Sequence, residues 1–155
     1  MTPAIKQLTK DNIPFTLHEY QHSPQSQSYG LEAAEKIGVP AEYVFKTLVA
    51  QTDNNILVVA IIPVNSTLNL KLLAKAANSK KAHMAKPQDV LRSTGYVLGG
   101  VSPIGQKKQL ATFIDSSASQ LTKMYISGGR RGLDIQLSPN DLYRVIQAKW
   151  ATLTT

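Results

Sequence analysis

The sequence predicts a mixed α/β domain with an irregular sheet. Short β-rich runs and short helical stretches are interleaved, but strands and helices do not alternate regularly, so a simple doubly wound parallel sheet is not expected. Most of the helical stretches carry their own start or stop signal. The chain has 155 residues, 43% apolar and 17% charged, which is a globular composition and the length of one core. A single domain over residues 1–155 is therefore expected.

The elements follow in order. Thr2 and Pro3 form a helix start, N-cap then first-turn proline, with Ile5, Leu8 and Ile13 as its apolar stripe. Residues 15–20 alternate and read as a strand. Residues 21–29 are polar, contain Pro24 and read as a loop. A helix over 31–37 ends at Gly38. Two β-rich runs, 43–51 and 55–62, are joined by Thr52, Asp53 and Asn54, which signals a hairpin. Residues 70–77 have helical spacing and stop at Asn78; 81–84 form a short strand; Pro87 opens a helix to about Arg92. Residues 94–105 hold four glycines, and 112–115, 124–127 and 133–137 read as strands. Ser138 and Pro139 start a last helix, with Asp141 favouring its dipole and the stripe running on through Leu142, Val145, Ile146 and Lys149.

Composition excludes several chemistries. With no cysteine there is no disulfide scaffold, no thiolate-bound metal and no cysteine nucleophile. His18, His22 and His83 are scattered without metal-ligand spacing, so no metal and no cofactor are expected. The longest apolar run, 56–64, is far below the roughly 20 residues of a membrane span, and residues 1–12 have no signal-peptide core. A soluble cytoplasmic protein that does not engage a membrane is the expectation. The net charge of +7 is uneven: residues 1–70 carry four basic side chains against six acidic, and residues 71–155 carry 13 against four. The second half holds the positive field, which attracts polyanions such as nucleic acid or serves only solubility.

Few residues stand out chemically. Gly99-Gly100 and Gly128-Gly129 are paired-glycine turns that either close tight bends or let a ligand approach the backbone. The second pair continues into Arg130 and Arg131, a combination of backbone donors and guanidinium groups suited to phosphate or carboxylate. Lys46 lies in a strand between Val44 and Leu48 on an apolar face. It reads either as a functional cation or as an edge lysine whose head reaches water. Asp134 either faces a pocket or pairs with Arg130 or Arg131, the pair being the simpler reading. No Walker, GxGxxG or GxSxG motif is present.

Three stretches carry a resemblance: VFKTL at 44–48, RSTGYVLGGVSPIGQKK at 92–108 and YISGGRRGLDI at 125–135. In order and content they resemble the YbaK family of Cys-tRNA deacylases, relatives of the editing domain inserted in bacterial prolyl-tRNA synthetases. The openings MTPA at 1–4 and YQHSP at 20–24 resemble it too, so the likeness runs from residue 2 to about 149. It implies a partly barrel-like sheet with flanking helices. The implied activity is trans-editing: clearing cysteine from tRNA(Pro), and also acting on Cys-tRNA(Cys), with prolyl-tRNA synthetase as partner. Cysteine and proline are close in size, and small apolar differences give only roughly 10–200-fold discrimination, so a second hydrolytic site is needed. In the mechanism the family implies, the cysteinyl thiol attacks its own ester carbonyl. By resemblance Lys46 is central, and Tyr20, Asp134 and Gly100 share the catalytic centre. Tyr29, Thr47, Gly99, Ser127 and Gly128 bind the aminoacyl end, and Lys107, Lys108, Arg130 and Arg131 bind tRNA. Tyr29 stands where relatives often have phenylalanine, and Arg130 where lysine is frequent. The alternatives are a non-enzymatic tRNA-binding or regulatory module, and a deacylase for another small aminoacyl group such as alanine.

Overall fold

A computed structural model describes residues 1–26 and 28–155; Gln27, inside the expected 21–29 loop, lies outside the described residues. Helix α1 (Pro3–Lys10) begins as its cap requires, with Thr2 Oγ1 accepting from Ile5 N–H at 3.4 Å. The same hydroxyl donates to the Gly128 carbonyl at 2.5 Å, so the cap also ties the N-terminus to a distant turn. Ala4, Ile5 and Leu8 are buried. Strand β1 (Thr16–Glu19) follows, then α2 (Tyr29–Ile37), which starts two residues earlier than its stripe suggests and ends at Gly38 in the left-handed conformation, φ 84°.

The expected hairpin is β2 (Phe45–Thr52) with β3 (Leu57–Pro63), paired antiparallel from Phe45↔Pro63 to Gln51↔Leu57. Residues 41–43 form a 3-10 turn, so the strand begins at Phe45 and not at 43. After α3 (Leu70–Ala76), capped by Asn69 Oδ1 on Leu72 N–H, comes the short β4 (Ala82–Met84). Helix α4 (Pro87–Thr94) has its proline in the first turn and runs two residues past the expected end. Strands β5 (Ala111–Asp115), β6 (Met124–Arg130) and β7 (Leu133–Leu137) precede α5 (Pro139–Val145) and β8 (Lys149–Ala151).

Two local expectations are corrected. Lys149 does not continue the last helix; it opens β8, which pairs parallel with β5 at Phe113↔Lys149. Parallel pairing with a distant strand outweighs the local helical spacing. Ser138 takes the N-cap position of α5, but its side chain makes no cap bond, and Asp141 instead accepts from Arg144 at 2.5 Å.

The strands form two open sheets, ordered β1-β7-β6 and β4-β2-β3-β5-β8. A single parallel bridge, Val44↔Tyr125, joins them at one corner, which is the extent of the barrel-like character. The main core lies between the sheets and α1, α4 and α5, around Leu8, Phe45, Ile61, Ile104, Ile114, Ile126, Ile135 and Leu142. A second apolar layer, with Ala50, Val58, Ala60, Ile62, Leu73, Phe113 and Leu153, covers the other face of the five-stranded sheet. No described helix is long and apolar enough to cross a membrane.

Candidate active site

Strand β4 pairs with β2 only from Ala50 to Thr52. Residues 46–48 of β2 therefore keep one bare edge, while β3 covers the other. A cavity of about 280 Å³ opens there, between β2, the start of α2, the 97–101 loop and strands β6 and β7. Four consecutive residues, Phe45, Lys46, Thr47 and Leu48, line it. Lys46 is thus both a residue of the unpaired strand edge and a lining residue of the pocket, so the two readings of it are compatible.

Two cavity groups carry shifted protonation and have no counter-charge in contact. Burial pushes the Lys46 ammonium below its usual pKa, and among the described residues no carboxylate is within ion-pair distance of it. Asp134 is 6% exposed, and burial pushes its carboxyl up to about 7. It sits on β7 opposite His18 of β1 and Ser127 of β6. The expected ion pair with an arginine does not form: Arg130 pairs with Glu19 at 3.2 Å, and Arg131 lies 3.8 Å over the Tyr29 ring. The pocket-facing alternative is the one realised.

Polar groups around these two lack partners or are raised by their setting. Thr47 Oγ1 and Arg131 Nε are buried without a hydrogen-bond partner. Buried orphans of this kind are rare in native proteins and mark places where water or a ligand completes the bonding. Burial, reinforced by the charge of Asp134, pushes the Tyr20 hydroxyl up to about 12, so it is a neutral donor at physiological pH. Ser127 Oγ accepts from Gly129 N–H at 3.1 Å, across the β-bulge that shifts the β6–β7 register.

The cavity brings together Lys46, Tyr20, Asp134, Tyr29, Thr47, Gly99, Ser127, Arg130 and Arg131. It does not include Gly100, Gly128, Lys107 or Lys108. Gly100 instead packs backbone to backbone, where a Cβ would meet Arg130 Cα at 2.9 Å. Gly128 receives the Thr2 hydroxyl. Lys107 and Lys108 are exposed, their amides bonded to the carbonyls of Thr94 and Ser93. Sequence reasoning named Val44 and Leu48 as the apolar neighbours of Lys46 and missed the other apolar walls. Ala33 is one turn after Tyr29 on the cavity face of α2, Val44 and Val64 flank the bare edge, and Leu98 and Val101 come from the glycine-rich loop. A Cβ on Gly30 would meet Val64 Cγ1 at 2.3 Å, so glycine lets the start of α2 approach this wall. The i, i+4 relation of Tyr29 and Ala33 was the one local signal for that surface.

Among the described residues no group of three or more His, Asp or Glu is placed to hold a metal ion. The cavity instead offers a desolvated ammonium, a carboxyl that titrates near neutrality and neutral hydroxyl donors, walled by small apolar side chains.

The family model described as the aminoacyl-tRNA editing domain matches residues 24–145. EbsC of Enterococcus faecalis, provisionally named a Cys-tRNA(Pro)/Cys-tRNA(Cys) deacylase, is 36% identical over 154 residues, covering 99% of this chain and 93% of that protein. A proline–tRNA ligase of Trichlorobacter lovleyi is 26% identical over 136 residues, covering 82% of this chain and 23% of the ligase. A solved structure provisionally described as a trans-editing enzyme for prolyl tRNA synthetase has the same fold. Its TM-score is 0.83 at 20% identity, covering 100% of this chain and 99% of that one.

Proposed function

The chain belongs to the aminoacyl-tRNA editing domain family, and from that premise we propose that it is a free-standing deacylase that clears cysteine from tRNA(Pro) and also acts on Cys-tRNA(Cys). Its activity is aminoacyl-tRNA deacylation in tRNA editing. The choice of cysteinyl-tRNA follows the name of the E. faecalis relative. Prolyl-tRNA synthetase in the cytoplasm is the partner we expect, as a relative of the ligases that carry a similar segment. One editing domain spans residues 1–155 in this reading.

The observation that carries the reading is Lys46: an ammonium without a counter-charge on a bare strand edge, in a cavity shared with Asp134. The aminoacyl ester supplies what both lack. Its α-ammonium answers the Asp134 carboxylate, and this pairing draws the carboxyl back toward ionisation. Its carbonyl oxygen answers Lys46. The substrate thiol, as thiolate, then attacks the ester carbonyl carbon: the C–S bond forms, negative charge moves to the carbonyl oxygen opposite Lys46, and the C–O bond to the ribose breaks. The ribose oxygen takes the proton that left the thiol, and a cysteine thiolactone leaves for hydrolysis. A thiolate is the reactive form of the group and is accessible near neutral pH. Lys46 stabilises charge that grows in the transition state. Tyr20 and Thr47 donate to the bound ester, and the small apolar walls limit the side chain admitted. The test is single-turnover deacylation of a panel of purified aminoacyl-tRNAs, with Cys-tRNA(Pro) and Cys-tRNA(Cys) expected to lose their amino acid and Pro-tRNA(Pro) to keep it. Retention of cysteine on both overturns the reading.

A further inference from the structure

Arg130 and Arg131 are neighbours in sequence and differ in what answers their charge. Arg130 Nη2 donates to Glu19 Oε2 at 3.2 Å, with both side chains exposed. Arg131 has no carboxylate within ion-pair distance among the described residues. Its guanidinium carbon lies 3.8 Å from the centroid of the Tyr29 ring. Its Nε is buried without a partner. Its Nη2 has a polar neighbour in His22 Nδ1, at 3.2 Å.

That imidazole nitrogen is already committed. It lies 2.8 Å from Oε1 of Glu32, a side chain in a residue only 7% exposed. The other carboxylate oxygen accepts Ser23 N–H at 2.9 Å. The bond from His22 holds the Glu32 carboxyl below its usual pKa, so the group is ionised. An imidazole nitrogen carries either a proton or an in-plane lone pair. Facing a carboxylate it carries the proton, and a protonated Nδ1 cannot accept from Arg131. The guanidinium therefore keeps its charge and at least two donor nitrogens unanswered.

It is nonetheless held in place. The Tyr29 ring under it meets the His22 ring edge-on, with centroids 6.2 Å apart. A Cβ at Gly99 would stand 2.8 Å from the Tyr29 ring and 3.2 Å from Arg131 Cδ. Gly99 also has φ 89°, so this position calls for glycine twice over. The stack is clamped between the start of α2, the turn after β6 and the glycine loop, and it lines the same cavity as Lys46 and Asp134.

On the editing reading above, the α-ammonium of the substrate answers Asp134 and the ester oxygen answers Lys46. One permanent negative charge remains close to the aminoacyl end of a charged tRNA: the phosphodiester 5′ to its terminal adenosine. We infer that Arg131, stacked on Tyr29 and positioned by the Glu32–His22 pair, is the docking site for that phosphodiester. A planar guanidinium is the side chain best matched to a phosphate, and the surface pair of Arg130 with Glu19 leaves Arg131 as the free member. Glu32 and His22 act through Arg131 and are positioning residues.

The experiment compares 3′-O-cysteinyl adenosine with its 5′-phosphorylated form, using the full chain. In the wild type the phosphate should raise kcat/KM roughly 10–100-fold, mainly through KM, as expected for one charge-assisted contact. In Arg131→Gln that ratio should fall to near one, and in Arg131→Lys it should be intermediate, because charge remains but the planar fork is lost. Arg144→Gln, which removes an exposed arginine paired with Asp141 outside the cavity, should keep the wild-type ratio. Glu32→Gln and His22→Asn should lower it several-fold while shifting KM more than kcat, which a general loss of folding would not do. If the small esters do not react, inhibition of Cys-tRNA(Pro) deacylation by adenosine 5′-monophosphate against adenosine reads the same ratio. A ratio near one in the wild type, or a wild-type ratio in Arg131→Gln, overturns the inference. Failure of the wild type to deacylate Cys-tRNA(Pro) at all overturns the editing reading instead.

Discussion

Asp115 and Asp134 are buried alike, at 5% and 6% exposure, and their surroundings differ completely. Asp115 closes β5, and its carboxylate accepts three hydrogen bonds: Leu153 N–H at 2.9 Å, Ser117 Oγ–H at 2.6 Å and Ser117 N–H at 3.3 Å. It ties the C-terminal segment over the dry face of the five-stranded sheet, where the neighbours are Leu73, Phe113 and Leu153. Asp134 lies on β7, the middle strand of the other sheet, receives no donor from the described residues, and titrates near 7. Both cavities of charge cost something to build; only the first is repaired by the protein itself. Burial is therefore common to the two carboxyls, and unfilled bonding capacity is what sets Asp134 apart.

The hardest way to break this contrast is to change the substrate. If the unfilled end leaves the attack to the substrate thiol, alkylating the sulfur of Cys-tRNA(Pro) should reduce deacylation to the uncatalysed background. Ser-tRNA and Ala-tRNA should be spared, because a hydroxyl is scarcely ionised at pH 7 and a methyl has no nucleophile. Cleavage of all three at equal rates would mean that the site activates water, and that Asp134 is a base. A trapped thiolactone would sharpen the contrast in the other direction.

Next comes Lys46. Lys46→Ala should lower single-turnover deacylation of Cys-tRNA(Pro) by roughly 10²–10³-fold, the usual cost of one donor to a developing oxyanion. The melting temperature should barely fall, since a desolvated cation is removed. Leu73→Ala, from the dry layer, should show the reverse: a loss of about 2–5 kcal/mol in denaturant unfolding with turnover per folded molecule unchanged.

The two aspartates should then separate by pH. A carboxyl near 3.9 in the unfolded chain and about 7 in the folded one imposes no penalty below pH 4, where both states hold the proton. Between pH 4 and 7 the unfolded state ionises first, so stability drains away as pH rises, by about 4 kcal/mol in all. Asp134→Asn should thus stabilise the protein at pH 8, leave it unchanged at pH 3.5, and weaken substrate binding at pH 8, where the carboxylate is the partner lost. Asp115→Ala should destabilise by about 1–3 kcal/mol, since it leaves buried donors unanswered. Urea unfolding at the two pH values reads both.

The smallest effect belongs to the exposed surface. Replacing Lys107 and Lys108 by glutamine should reduce the slope of log affinity against log salt for tRNA by roughly 1–2, with little change in kcat. An unchanged slope would place the tRNA body on another part of the basic second half.

Local signals were read well where the physics is local. The Thr2–Pro3 start, the Gly38 stop, the Pro87 start and the hairpin signalled by residues 52–54 each depend on residues within about four positions, and all are in place. The fold family was also legible, because the glycine turns and VFKTL motif survive as contiguous words. Lys149 was misread because its helical spacing is overruled by parallel pairing with Phe113, 36 positions earlier in the chain. Tyr20, Lys46 and Asp134, named by resemblance, line the cavity; Gly100 and Gly128, named with them, lie outside it, and so do Lys107 and Lys108, which the resemblance assigns to tRNA and not to the pocket.

The amino-acid sequence by itself determined the type of most elements, β8 excepted, the absence of thiol chemistry in the protein and the asymmetric charge, since these depend on composition and on neighbours along the chain. Only the tertiary structure decided that β4 stops short and bares the edge of β2, that Asp134 has no arginine, and that His22 is spent on Glu32 while Arg131 is left free. Each of these is a question of which polar group is left without a partner. Pairing is settled by segments that lie tens of residues apart, such as 20–32, 46–48 and 127–134, and come together only when the sheets have formed.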